Sequence, residues 1–249
     1  MRQDSGGHAE ICPPYPPSLA DGELRRASNG RPSARRLIWF WLAMLVGLGV
    51  MFLLDAPVLA LVRPLHESRF SDLVNHTIRQ LGTGQVQAVV LLALVVVGLA
   101  AKARHPKRSA AALRLRAAGG WGILSLAISA AAATIVKVLI HRPRPWFVPP
   151  ELTSWKAHML LAIQEGKLRA FPSGESTTTF AVAWTLAWCY PRLRWPLLGV
   201  AVMIAAARVV VGAHHPSDVW AGAMLGIAVA EWVKGLARRR AEQGVTPPS

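Results

Sequence analysis

Six runs of apolar residues, at about 37–62, 86–101, 117–136, 175–190, 195–211 and 219–233, occupy most of this chain. A backbone carried into hydrocarbon must satisfy its own N–H and C=O groups, so each run is predicted to be a helix. Several are shorter than the ~20 residues of an ideal span. Helices that pack closely and bury their ends in protein can still cross, and small residues favour close packing: Ala130 to Ala133, Ala205 to Ala207, and the GxxxG spacing of Gly222 and Gly226. We expect an all-α, polytopic membrane protein with six transmembrane helices over residues 37–240.

The charge pattern orients it. The net charge is +15, a value that would suit nucleic-acid binding, but no such motif is present and the basic residues cluster beside the apolar runs. Arg25, Arg26, Arg31, Arg35 and Arg36 precede the first run, and Lys102 to Arg116 follow the second. Arg192 and Arg194 lie between the fourth and fifth, and Lys234 to Arg240 follow the sixth. With six spans, all four groups fall on one side, which the positive-inside rule makes cytoplasmic, with both termini. Residues 1–36, rich in proline, glycine and arginine, read as a disordered basic tail, and 241–249 as a short disordered one. No apolar segment before residue 37 suggests a cleavable signal. The two cysteines, Cys12 and Cys189, are too few and too far apart in context to form a framework.

Two outer loops carry apolar residues. Residues 63–85 have amphipathic spacing at Phe70, Leu73, Val74, Ile78 and Leu81, as in a helix lying in the interface. Residues 146–171 mix Trp146, Phe147, Trp155 and Met159 with Lys156, His158 and Lys167. That loop reads equally as a gate for lipid entry and as a connector anchored by aromatics.

The chemistry lies at the outer ends of the last four runs. Lys137 offers a point charge and Arg144 a fork matching phosphate oxygens, stiffened by Pro143 and Pro145. Taken alone, these are ordinary interfacial anchors. Ser173 and Gly174, ahead of the fourth run, offer a hydroxyl and free N–H groups at a helix start, where the dipole suits an anion; taken alone, they are a good N-cap. Arg208 ends the fifth run. His214 and Asp218, four apart around Pro216, share one helix face, so Asp218 could hold one ring nitrogen and leave the other as a nucleophile. Taken alone, Asp218 suits a first helical turn. Together these bland readings fail, because cations, backbone donors, nucleophile and acid all fall on one membrane face.

Here the chain resembles the type 2 phosphatidic acid phosphatases, whose signature is K-x6-R-P, then P-S-G-H, then S-R-x5-H-x3-D. In this sequence it stands as Lys137-x6-Arg144-Pro145, Pro172-Ser173-Gly174-Glu175, and Ala207-Arg208-x5-His214-x3-Asp218. The resemblance implies a metal-free, cofactor-free lipid-phosphate phosphatase with a six-helix core. Lys137, Arg144 and Arg208, helped by Ser173 and Gly174, would hold the phosphoryl oxygens. His214 would attack phosphorus to give a phosphohistidine, Asp218 would orient it, and water would hydrolyse it. His215 neighbours the motif, but the spacing selects His214.

Two positions depart. Ala207 replaces a serine, with a modest effect expected. Glu175 stands where the family has the histidine that protonates the leaving group, and a carboxylic acid (ordinarily titrating near ~4.3, against ~6.5 for imidazole) is a poor acid at neutral pH beside three cations. Three readings follow: a serviceable acid in the presence of substrate, a base for the hydrolytic water with a leaving group needing little protonation, or a site that binds without turnover. The expected function is hydrolysis of a lipid phosphate or diphosphate (isoprenyl diphosphate, glycolipid 1-phosphate or phosphatidate) at the outer face. A phosphotransferase and a non-catalytic lipid-phosphate binder or transporter are the rivals. The compact six-span core suits a bacterial inner membrane, with the site facing the periplasm and membrane lipids as its surroundings.

Overall fold

The computed structural model of the protein describes residues 34–66, 68–104, 109–140, 142–145 and 169–243. The expected tail before residue 34, most of the aromatic outer loop (146–168) and the last six residues lie outside the described residues. Among the described residues there are seven α-helices: α1 (Ala34–His66), α2 (Arg69–Gly82), α3 (Gly84–Arg104), α4 (Ser109–Leu139), α5 (Gly174–Cys189), α6 (Arg194–Val210) and α7 (Pro216–Gln243), with a 3-10 turn at Pro191–Leu193 before α6.

Among the described residues, five stretches are long and apolar enough to cross a membrane: Ile38–Leu65, Gly84–Ala103, Ala110–Leu139, Pro191–Val210 and Pro216–Ala241. The helices outrun the apolar segments predicted for them. α4 starts at Ser109 and α7 continues to Gln243, because ALRLRAA and KGLARRRAEQ are good helix formers that carry a span onward after its apolar stretch ends. The helical end of α7 therefore includes residues 241–243, which were expected to belong to the tail. The remaining run became α5, which at 16 residues is shorter than a span.

α5 is the hub. Most of its residues are buried, and it packs against α4, α6 and α7. Its polar side chains, which would be costly against lipid, find partners: Thr185 and Ser125 share a 2.8 Å hydrogen bond, and Gln87 Nε2 donates to Thr179 at 2.7 Å. By contrast, only 6% of the apolar window of α1 is buried, so this helix lies at the edge of the bundle, packed along one side against α7 and α6.

α7 and α5 approach closely. A Cβ on Gly222 would stand 2.7 Å from the Ser173 carbonyl, and one on Gly226 would overlap the Thr177 carbonyl. The GxxxG spacing is therefore what lets these two helices meet backbone to backbone. Phe180, Ala183, Ala201, Ala205, Ala223 and Ile227 complete a core of α5, α6 and α7.

α2 lies between α1 and α3, as the amphipathic spacing anticipated. Ser71 and Val74 are buried, whereas Asp72, Thr77, Arg79 and Gln80 are exposed, and the helix packs on α6.

Candidate active site

One end of the bundle collects the C-termini of α4 and α6 and the N-termini of α5 and α7. Each local sequence accounts for its placement. Ser173 is the N-cap of α5, accepting from the Ser176 N–H, which is the usual role of serine at this position. Its own N–H donates to the Asp218 carbonyl at 2.9 Å, stitching α5 to the first turn of α7. Gly212 takes a positive φ of 66°, which a side chain would resist, and so ends α6 in a tight turn. Beyond it, the N–H groups of Ala213 and His214 both donate to the Arg208 carbonyl. His214 is thereby folded back over the end of the helix that carries Arg208.

All the site residues anticipated from sequence converge here. Lys137 Nζ lies 3.0 Å from where a side chain on Gly174 would begin, so the ammonium sits beside the α5 N-terminus and adds its charge to the positive end of the helix dipole. Arg144 is close enough to act electrostatically on both Lys137 and Arg208. Arg208 is 5% exposed, yet its Nε and Nη1, the Nε of Arg144 and the Nδ1 of His214 are buried and have no hydrogen-bond partner among the described residues. Buried donors in native proteins are nearly always satisfied. A cluster of unmatched cationic donors is the signature of a pocket shaped for an anion.

Glu175 sits among them. Its Oε2 is 3.0 Å from Arg208 Nε, an ion pair not aligned as a hydrogen bond, and its Oε1 is 3.7 Å from Arg79 Nε on α2. Arg79 was not anticipated. It is a second cation for the carboxylate that replaces the family histidine.

His214 is 4% exposed. Burial, the largest influence, pushes its imidazole down to about 4; Asp218 opposes this, and Arg208 and Lys137 add to it. The ring is therefore neutral at physiological pH, as a nucleophile must be. The expected orienting contact differs in detail. Asp218 Oδ2 is 3.8 Å from His214 Nδ1, too long for a hydrogen bond. The same oxygen instead accepts from the His215 N–H at 2.8 Å and contacts His215 Nδ1 at 3.1 Å. The reason is local: Asp218 lies in the first turn of α7, where the preceding N–H groups are unpaired and compete for its carboxylate.

Three further residues support Asp218. Arg142 Nη1 lies 2.6 Å from its Oδ1. Arg142 Nη2 lies 2.6 Å from Asp55 Oδ2 on α1, and Asp55 also accepts from the Ser217 N–H and hydroxyl. Arg142 is hidden within the x6 stretch of the first motif. Asp55 is an acid inside a long apolar run, and that anomaly was the signal by which it could have been found.

Apolar grooves flank α6 on either side. The larger, about 590 Å³, lies between α1, α6 and α7 and includes Met51, Leu54, Val210, Pro216 and Trp220. The smaller, about 340 Å³, lies between α3, α5 and α6. Both are nearly without polar lining, as grooves that take hydrocarbon would be.

The family model for the PAP2 superfamily matches residues 118–242, which contain every anticipated site residue. The chain is 29% identical over 185 residues to a lipid A 1-phosphatase of Rhizobium etli, covering 71% of this chain and 74% of that one. It is 27% identical over 212 residues to a lipid A 1-phosphatase of Rhizobium johnstonii, covering 83% and 82%. Among solved structures, a transmembrane PAP2 type phosphatidylglycerolphosphate phosphatase from Bacillus subtilis superposes with a TM-score of 0.52 at 21% identity, covering 81% of this chain and 96% of that one. Aquifex aeolicus LpxE superposes with a TM-score of 0.50 at 21% identity, covering 71% and 94%. These two likenesses are likenesses of fold.

Proposed function

Because the chain belongs to the PAP2 superfamily and is an integral membrane lipid-phosphate hydrolase, we propose that its substrate is a glycolipid 1-phosphate, hydrolysed through a phosphohistidine on His214. The observation that carries this reading is the group of buried, unmatched donors on Arg208 and Arg144, gathered with Lys137 at the N-terminus of α5. The lipid A 1-phosphatases of Rhizobium, similar over most of their length, support the choice of a sugar phosphate.

In this mechanism Lys137, Arg144 and Arg208 neutralise the phosphoryl oxygens, and the N–H groups after Ser173 add the dipole of α5. The Nδ1 of His214 faces Asp218, so Nε2 attacks phosphorus. The bond from phosphorus to the sugar oxygen breaks and the sugar leaves as its hemiacetal oxyanion, which takes a proton from solvent. Water then attacks the phosphohistidine, giving up a proton as the P–N bond breaks, and phosphate is released.

Glu175 serves the second half of the reaction, accepting the proton of that water. Its oxygens lie beside two guanidinium groups, 3.0 Å from Arg208 Nε and 3.7 Å from Arg79 Nε. A hemiacetal oxygen, more acidic than a simple alcohol, is the leaving group such a site tolerates. We place α5 as a sixth crossing despite its length, which sets both termini in the cytoplasm and the site on the periplasmic side of a bacterial inner membrane.

A substrate panel tests the proposal. Purified protein in detergent is offered a glycolipid 1-phosphate, an isoprenyl diphosphate and phosphatidate, as wild type, Glu175→His and Glu175→Gln. The wild type should prefer the first, and Glu175→His should widen activity towards phosphatidate. Phosphatidate as the fastest wild-type substrate would sink the assignment. Phosphate appearing on an acceptor lipid would make the protein a transferase, and binding without turnover would make it a carrier.

A further inference from the structure

α1 lies at the edge of the bundle, with few of its residues buried, yet Asp55 within it is only 7% exposed. A carboxylate inside a membrane span is costly unless paired, and among the described residues the polar partners of Asp55 lead towards the active site. Its Oδ1 accepts the Ser217 N–H at 2.9 Å; its Oδ2 accepts the Ser217 hydroxyl at 2.6 Å and pairs with Arg142 at 2.6 Å. The Ser217 hydroxyl lies 2.6 Å from Arg142 Nη1 as well. The same Nη1 holds Asp218 Oδ1 at 2.6 Å, while Nη2 is the nitrogen that pairs with Asp55. Phe52, one turn before Asp55, covers the guanidinium at 5.0 Å and stacks on Phe171 at 6.1 Å. One face of α1 thus grips Arg142 from two directions.

This arrangement separates Arg142 from the other cations of the site. Arg208 and Arg144 keep unmatched donors, whereas both terminal nitrogens of Arg142 are engaged by carboxylates. A phosphate would have to displace an acid to reach it. Resting on the hydrolase reading above, we infer that Asp55 and Arg142 are positioning residues for the reaction. Asp55 fixes Arg142, Arg142 fixes the Asp218 carboxylate, and through Asp218 and Ser217 the first turn of α7 holds His214 in place.

Loss of such a residue should lower turnover and spare binding, because the phosphate ligands are untouched. The test compares wild type, Asp55→Asn, Arg142→Gln and the double variant, measuring phosphate release from a glycolipid 1-phosphate per monodisperse protein in detergent. In Asp55→Asn, kcat should fall roughly 10–100-fold, the usual cost of losing an orienting partner, with KM within about threefold. The double variant should be no slower than Arg142→Gln, since Asp55 acts through the arginine.

A folded Asp55→Asn with wild-type kcat, or with its loss entirely in KM, overturns the inference. If that variant does not fold, Ser217→Ala decides, because it removes the hydroxyl that touches both groups and keeps the ion pairs. It should lose kcat several-fold, and unchanged kcat overturns the inference. No release by wild type from any lipid phosphate would overturn the proposed function and this inference together; release by wild type with unaffected variants overturns this inference alone.

Discussion

Replacing Gly222 by alanine tests whether the meeting of α7 and α5 sets the active-site geometry. The added Cβ would stand 2.7 Å from the Ser173 carbonyl, 3.1 Å from Ser176 Cβ and 3.1 Å from Thr177 Oγ1. Comfortable contact begins near ~3.5 Å, so the helices must part by close to 1 Å. The carbonyl cannot yield by rotating, because it accepts from Thr177 within α5. Overpacking of this kind costs about 1–3 kcal/mol, offset by about 1 kcal/mol from exchanging glycine for alanine in a helix. Net destabilisation should be about 0–2 kcal/mol. Activity should suffer more, since the Ser173 N–H to Asp218 carbonyl bond spans this seam and a ~1 Å displacement costs about 100-fold. Gly235 supplies the control: it is on the same helix, and an added Cβ meets nothing within 4 Å, so Gly235→Ala should be neutral or stabilising. Phosphate release and thermal unfolding in detergent are measured for both. Should Gly222→Ala match Gly235→Ala in activity and stability, the seam does not position the site.

Other expectations follow from the site. Stability should fall as pH drops from 6.5 to about 4, the interval in which the unfolded chain protonates His214 and the folded protein does not; comparing wild type with His214→Gln in pH-dependent unfolding should show that part of the slope lost. Orthovanadate, a phosphoryl mimic, should inhibit, and should do so several-fold more tightly in Glu175→Gln, where no carboxylate competes for Arg208; weaker inhibition would contradict the ion pair's role. Thr185→Val should lower unfolding stability by about 1 kcal/mol, because it strands the Ser125 hydroxyl inside the bundle. His214→Ala should abolish turnover while leaving inhibitor binding measurable.

The sequence made the site legible because its chemistry is local: each motif is a helix end, and a helix end is visible as charge or proline beside an apolar run. Lys137, Ser173, Arg208 and Asp218 could all be placed this way. What escaped were partners supplied from elsewhere in the chain. Asp55 and Arg142 meet across 87 residues, and no local pattern joins them; Arg79 likewise reaches Glu175 from a surface helix. The pairing of Asp218 with His215 was hidden for a different reason, since i, i+4 spacing describes a helix face and His214 lies before the helix begins. The Gly222–Gly226 spacing was visible, but its worth depended on a facing backbone that only the folded chain supplies.

The length of α5 has a consequence for where the lipid and its phosphate part. Sixteen residues rise about 24 Å, against a hydrocarbon layer of about 30 Å. If the C-terminal end near Arg192 and Arg194 keeps to the level of lipid head groups, the N-terminus that meets the phosphate lies several ångströms below the opposite surface. The bound lipid must then sink, or the bilayer must thin around the protein, before His214 can reach phosphorus. Depth itself becomes a filter: a head group joined to its chains by a long polar stem would have furthest to sink, and one whose phosphate sits close to the hydrocarbon would have least.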